Sequence, residues 1–171
     1  DGNYLREYSS KYFTHAHTTP WGDAVNYDGP GSDQVRALVI DNACQWIRDY
    51  HFDGLRLDAT EQIVDSSPVN ILAELQQRAR AATDRSVVIF AEEARNLVEV
   101  VHPVERGGWG LDGSWADDFH HAMMVMLLSI RDHYYADYEG TLEEIARAIT
   151  GGFVYQGEHS AFQDKLRGTR V

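Results

Sequence analysis

Phe52-Asp53-Gly54-Leu55-Arg56-Leu57-Asp58-Ala59-Thr60-Glu61 is the stretch whose reading decides the fold. It has the pattern of a short buried strand, spanning 52–58, that ends abruptly in polar and charged side chains. Side chains alternate across a strand. Leu55, Leu57 and Ala59 are therefore expected on one face, with Gly54, Arg56 and Asp58 on the other. An Arg and an Asp two residues apart on one side of an otherwise apolar strand are costly unless paired or functional. A structural ion pair meets that condition and so does a reactive site, and the stretch alone leaves both open. A second strand, Val87-Val88-Ile89-Phe90-Ala91-Glu92, presents a carboxylate in the same place. Its continuous apolar run predicts a strand covered on both faces, with Val88, Phe90 and Glu92 on one side. Glu93 competes with Glu92, and strand alternation favours Glu92.

Helices flank these strands. Val35, Val39, Ala43, Trp46 and Ile47 form an apolar stripe from Ser32, the expected N-cap, to Tyr50. Asn70 caps a second helix over 70–82, with Ile71, Leu72, Leu75 and Ala79 on one face. A short helix is expected around Leu97–Val101. A third strand, weakly marked, covers Leu111–Phe119, and a helix follows over 120–134. Thr141-x-x-Glu144 is a capping box opening Leu142–Thr150, which Gly151 closes. Strands alternating with helices mean parallel β-structure with crossover helices, whose chemistry gathers at the carboxyl ends of the strands. Asp58 and Glu92 both stand there.

Residues 1–32 are rich in Gly, Pro, Asn, Asp and aromatic side chains, with turn chemistry at Trp21-Gly22, Asn26-Tyr27 and Asp28-Gly29-Pro30-Gly31. They read as a long ordered loop whose aromatic residues, Trp21 and Tyr27 among them, pack on one another or offer flat faces to a ligand. His15-x-His17 lacks an evident third ligand, so a hydrogen-bonding role is expected. Of the 171 residues, 43% are hydrophobic and 25% charged, an ordinary balance for one soluble domain. A net charge of −12 argues against nucleic acid, and no apolar run reaches the length of a membrane span. A cytoplasmic setting is expected. Cys44, the single cysteine, excludes an internal disulfide and reads as helix packing. The first residue is Asp rather than Met, which suggests a piece of a longer protein.

Two carboxyl groups at adjacent strand ends suit glycosidic bond cleavage, one attacking or guiding water and the other protonating the leaving oxygen. The same pair can hold a divalent cation. Arg56 beside Asp58 favours its ionised form, as a nucleophile or charge stabiliser requires. Glu92 follows an apolar strand whose desolvation is expected to keep it protonated as a general acid. Asp117, Asp118, His120 and His121 cluster after the third strand. They read either as sugar-binding groups or as a helix start with solvent-facing histidines.

The Phe52–Ala59 stretch resembles the nucleophile strand of the α-amylase clan of glycoside hydrolases, and Ile89-Phe90-Ala91-Glu92 its general-acid strand. Within the clan the sequence is similar to the maltooligosyltrehalose trehalohydrolase family at Asp1–Leu5, Tyr12–Thr14, Thr19–Gly22 and Asn26–Pro30. Further matches are Trp115-Ala116-Asp117-Asp118-Phe119-His120-His121-Ala122, Tyr134–Tyr138 and Gly152–Glu158. The resemblance implies part of a (β/α)8 barrel, from the loop after strand three to helix six. On that reading residues 1–32 are a substrate-side loop, 33–150 are βα units and 151–171 a C-terminal connection. It implies retaining hydrolysis of the α-1,4 bond that joins trehalose to a maltooligosaccharide, without metal or cofactor. Asp58 would be the nucleophile, Glu92 the acid/base and Arg56 the group orienting the nucleophile. Asp117, Asp118, His120, His121, Trp21 and Tyr27 would contact a maltooligosyltrehalose or related α-1,4-glucan; no nucleic acid or membrane partner is implied. Glu61 stands where the family usually has His, Ala94 departs from a common acidic pair, and the third catalytic Asp would follow this chain. A branching or other glucan enzyme, and an inactive glucan-binding piece, are the alternatives.

Overall fold

The computed structural model describes residues 4–170. Asp1, Gly2 and Asn3, which open one of the stretches similar to the family, lie outside the described residues. The segment expected as an irregular loop is partly regular. A single turn α1 (Leu5–Tyr8) precedes the antiparallel hairpin of β1 (Phe13–Thr19) and β2 (Gly22–Val25), whose register shifts between Thr14 and Thr18. Thr and His alternate here without an apolar face, so period-two hydrophobicity is absent although β-branched Thr favours the extended backbone. The turn reading does hold at Asn26, whose side chain donates to Lys11 O and Pro30 O and accepts from the Gly29 amide at 2.9 Å.

α2 (Ser32–Arg48) starts one residue earlier than the expected cap implies. Its N-cap is Gly31, at φ 81°, and no side chain caps it. It leads into β3 (Gly54–Leu57), then α3 (Ile71–Ala81), where Asn70 accepts from the Leu72 amide as a side-chain cap. β4 (Val88–Glu92) and β5 (Gly113–Trp115) complete a parallel three-stranded sheet in the order β3-β4-β5. Between β4 and β5 the expected short helix is a 3-10 turn, Val98–Val100. The third strand is three residues long, because α4 (Asp117–Leu128) begins earlier than its apolar pattern suggests. Asp117 and Asp118 sit in its first turn, where carboxylates meet the positive end of the helix dipole. Ser129, at φ 56°, ends α4 well short of Tyr134. α5 (Leu142–Gly151) opens with the capping box complete in both directions. The expected C-terminal connection carries a hairpin of β6 (Glu158–Ser160) and β7 (Lys165–Arg167).

The main core lies on one side of the sheet. Ile40, Ala43, Cys44 and Ile47 of α2 and Ile71, Leu72, Leu75 and Ala79 of α3 pack on Ile89 and Ala91, with Leu55 and Leu57 at the margin. Each fully buried Ile or Leu stabilises by about 1.5–3 kcal/mol. Arg36 of α2 ties this core to the hairpin side of the molecule. It pairs with Asp65 at 2.8 Å and Glu74 at 2.7 Å and donates to Tyr27 O. A second core joins Ala122 and Val125 of α4 to Ile145 and Ala148 of α5 around Tyr138.

The expectation that β4 is covered on both faces is not met. Val88 is 39% exposed and Phe90 37%, while Ile89 and Ala91 are fully buried. An unbroken apolar run carries no record of which face is covered. On the open face the Phe90 ring lies over Gly113, where a Cβ would come within 2.7 Å of two ring carbons.

Candidate active site

Two rows of side chains cross the open face of the sheet. Arg56, Phe90 and Gly113 are register partners, and one row further toward the carboxyl ends Glu92 partners Trp115. β3 has ended by then. Asp58 and Ala59 are already in a turn, so Ala59 does not continue the Leu55–Leu57 face as expected. Ala59 adopts φ 46°, ψ 46°, a left-handed conformation uncommon for a residue with a side chain. That turn aims its N–H at Glu92 Oε2, 2.9 Å away. The Thr60 hydroxyl bonds the backbone carbonyl of Glu92 at 2.6 Å.

Arg56 lies between the two carboxylates. Its Nη1 pairs with Asp58 and its Nη2 with Glu92 Oε1 at 2.9 Å. One planar guanidinium thus engages both carboxylates. The Asp58 side chain is 77% exposed and so accessible to a ligand. Glu92 is partly buried rather than fully enclosed. Its side chain is 35% exposed and accepts from both Ala59 and Arg56, because the apolar run beneath it covers only one face. Glu93 takes the other direction: it is fully buried and held by Arg95 at 2.6 and 2.7 Å and by Thr60 at 3.2 Å. Alternation thus separates the two neighbours as expected, Glu92 toward the open face and Glu93 into the interior.

A groove of about 390 Å³ runs from Asp58 to the β1–β2 hairpin, lined also by Trp21, Tyr27, Asp23 and Gln62. Trp21, 75% exposed at the hairpin tip, offers a free aromatic face. Tyr27 sits deeper than a stacking face would. It is only 8% exposed and packs in the main core, so it forms the groove wall rather than a stacking platform. Glu61, on the 3-10 turn after Ala59, has one carboxylate oxygen buried without a partner. Burial pushes its carboxyl above the usual range, and the neighbouring Glu93 and Glu92 push the same way.

The Asp117–His121 cluster divides. Asp118 is fully buried and accepts from Asn96, Tyr138 and the amides of Val154 and Tyr155, while pairing with Arg167 at 2.8 Å. Its oxygens are thus occupied within the fold, away from the surface where a sugar was expected. His121 is buried as well, stacked on Tyr134 at 4.5 Å and bordered by Tyr135 and Tyr138. Sequence spacing alone could not distinguish these from their neighbours, because the α4 boundary falls inside the motif. Asp117 is half-buried and His120 exposed. Two contributions were missed. Trp115 lies with its ring 4.9 Å from the Arg56 guanidinium, which its place at the end of the third strand could have signalled. Arg167, closing the Asp118 network from β7, left no local signal. His15 and His17 pair separately with Asp23 and Asp28, in keeping with hydrogen-bonding roles. Among the described residues no group of three or more His, Cys, Asp or Glu could hold a metal ion.

No family model matches the chain. The malto-oligosyltrehalose trehalohydrolase of Rhizobium sp. (strain M-11) is 40% identical over 173 residues, 99% of this chain and 29% of that protein. That of Saccharolobus solfataricus is 37% identical over 171 residues, 100% of this chain and 30% of that protein. A crystal structure from Salmonella typhimurium, described as an alpha amylase, superposes with a TM-score of 0.87 at 37% identity, covering 99% of this chain and 29% of its own. The parallel sheet, with its acids at the carboxyl edge, is therefore of the α-amylase type. Within that class the chain belongs to the malto-oligosyltrehalose trehalohydrolase family. It spans about 30% of the length of these relatives.

Proposed function

We propose that the protein acts as a retaining α-glucan hydrolase that cleaves the α-1,4 bond beside the trehalose end of a maltooligosyltrehalose and releases trehalose. In this reading Asp58 attacks the anomeric carbon while Glu92 protonates the departing oxygen. Glu92 then takes a proton from the water that opens the glycosyl ester, regenerating both groups. Arg56 keeps Asp58 aimed at the sugar. Because Arg56 also pairs with Glu92, which must carry a proton in the first step, that second contact has to loosen as the sugar enters. Trp21, Asp117 and His120 are the accessible substrate contacts. The sheet supplies three strands of a (β/α)8 barrel within residues 33–150, with 1–32 on the substrate side and 151–171 as the connection onward. The observation that carries the reading is the single guanidinium held between two carboxylates at the carboxyl ends of β3 and β4.

The test is a chimera in which this chain replaces the matching stretch of the Rhizobium relative, incubated with maltotriosyltrehalose. Trehalose and maltotriose are the expected products. Asp58→Asn should lower kcat by at least about 10⁴-fold while sugar binding, followed by tryptophan fluorescence, changes little. Undiminished turnover in that variant would remove Asp58 from the chemistry. Longer glucans with new branch points, and no trehalose, would shift the reading to glucosyl transfer.

A further inference from the structure

Arg56 is the hinge of the proposed site, and its contacts to Asp58 and Glu92 leave the faces of its guanidinium unaccounted for. β5 supplies what meets one of them. Trp115 is the register partner of Glu92, so its side chain leaves the sheet on the same open face. Its ring centroid lies 4.9 Å from the Arg56 Cζ, within cation–π range. Trp115 is nonetheless 56% exposed, so the ring is not a core residue that happens to pass an arginine.

We infer that Trp115 is a positioning residue that holds the Arg56 guanidinium against Asp58, and that this contact, rather than burial, fixes the nucleophile's counter-charge. The inference rests on the proposed glycosidase reading for its kinetic consequence, but the contact itself does not. An Arg on a half-exposed strand end is screened by solvent and free to change rotamer; an aromatic face removes part of that freedom and orients the planar fork. The charged groups around Arg56 are few. Asp58 and Glu92 touch it, Glu93 beneath is engaged by Arg95, and Glu61 lies on the turn after Asp58. Loosening Arg56 therefore acts mainly on the aim of Asp58 and Glu92.

Two measurements test this. In the 171-residue chain, the Arg56 δ and ε proton resonances should show the upfield ring-current displacement of a guanidinium over an indole. Trp115→Ala should abolish the displacement and Trp115→Phe should keep most of it, with circular dichroism unchanged in both. In the chimera, Trp115→Ala should lower kcat/KM about tenfold, mostly in kcat, and Trp115→Phe should restore it. Arg56 resonances that ignore the Ala substitution would overturn the inference. So would a loss confined to KM, which would make Trp115 a sugar platform alone. A chimera inactive with maltotriosyltrehalose would count against the glycosidase reading only, since the resonance measurement still decides the contact.

Discussion

His121 is buried among three tyrosines, and its Nδ1 faces no hydrogen-bond partner. Burial lowers its pKa below the ordinary 6.5, and His120 and Arg167 add to that while Asp117 and Asp118 oppose it. The folded state therefore resists a proton that the unfolded chain accepts. Stability should be highest above about pH 6.5 and should fall as the pH drops from there toward the lowered folded value. His121→Phe keeps a stacked ring and removes the proton site. Urea midpoints at neutral and mildly acidic pH should show a smaller pH slope in the variant, and an unchanged slope would assign the dependence elsewhere. The same position shows what the sequence could and could not convey. Asp117, Asp118, His120 and His121 look alike as a polar run, but one helical turn of backbone sends Asp118 and His121 inward and leaves His120 in solvent. By contrast, Glu92 and Glu93 were separable in advance, because the strand's period of two needs no knowledge of what lies around it.

Elements with their own terminal chemistry were legible: α3 through Asn70 and α5 through the Thr141–Glu144 box. Elements whose existence depends on distant partners were not. The hairpin of β6 and β7 is fixed by Arg167, which bonds Ala94 O at 3.0 Å, the Tyr138 hydroxyl at 2.6 Å and Asp118 at 2.8 Å. These contacts bind the end of the chain to the segment that follows Glu92 and to the first turn of α4. Arg167 is 4% exposed and Asp118 fully buried, so removing either leaves an uncompensated interior charge. Arg167→Met should cost about 3–5 kcal/mol in urea denaturation, well above the loss of a surface pair. Asp118→Asn should be similarly costly, because two backbone amides and the Asn96 side chain would face an amide in place of a carboxylate. A loss below about 1 kcal/mol in both variants would mean that the hairpin is held by its packing and not by this ion pair.

At the scale of the molecule, helices cover one face of the parallel sheet and leave the other open, and among the described residues β3 and β5 each pair with β4 alone. Parallel sheets are ordinarily covered on both faces. In the proposed barrel the open face, carrying Val88, Phe90, Arg56 and Trp115, would turn toward the barrel axis. In the isolated chain it is an apolar strip flanked by strand edges, the combination that promotes association. Opposing it is the net charge of −12, whose repulsion between copies reaches over a screening length of about 10 Å at 0.1 M salt and about 3 Å at 1 M. The two forces make opposite demands on salt, and this gives the prediction its sign. Sedimentation of the 171-residue chain should show association that strengthens as salt is raised, since screening weakens the repulsion while the hydrophobic contribution remains. Val88→Lys places a charge in the centre of the open face without touching the core behind Ile89 and Ala91, so it should keep the native circular dichroism and return the chain to monomer at the same salt. Association that weakens with salt would identify ion pairing between copies as its cause, and a Val88→Lys chain that associates undiminished would place the contact away from this face of the sheet.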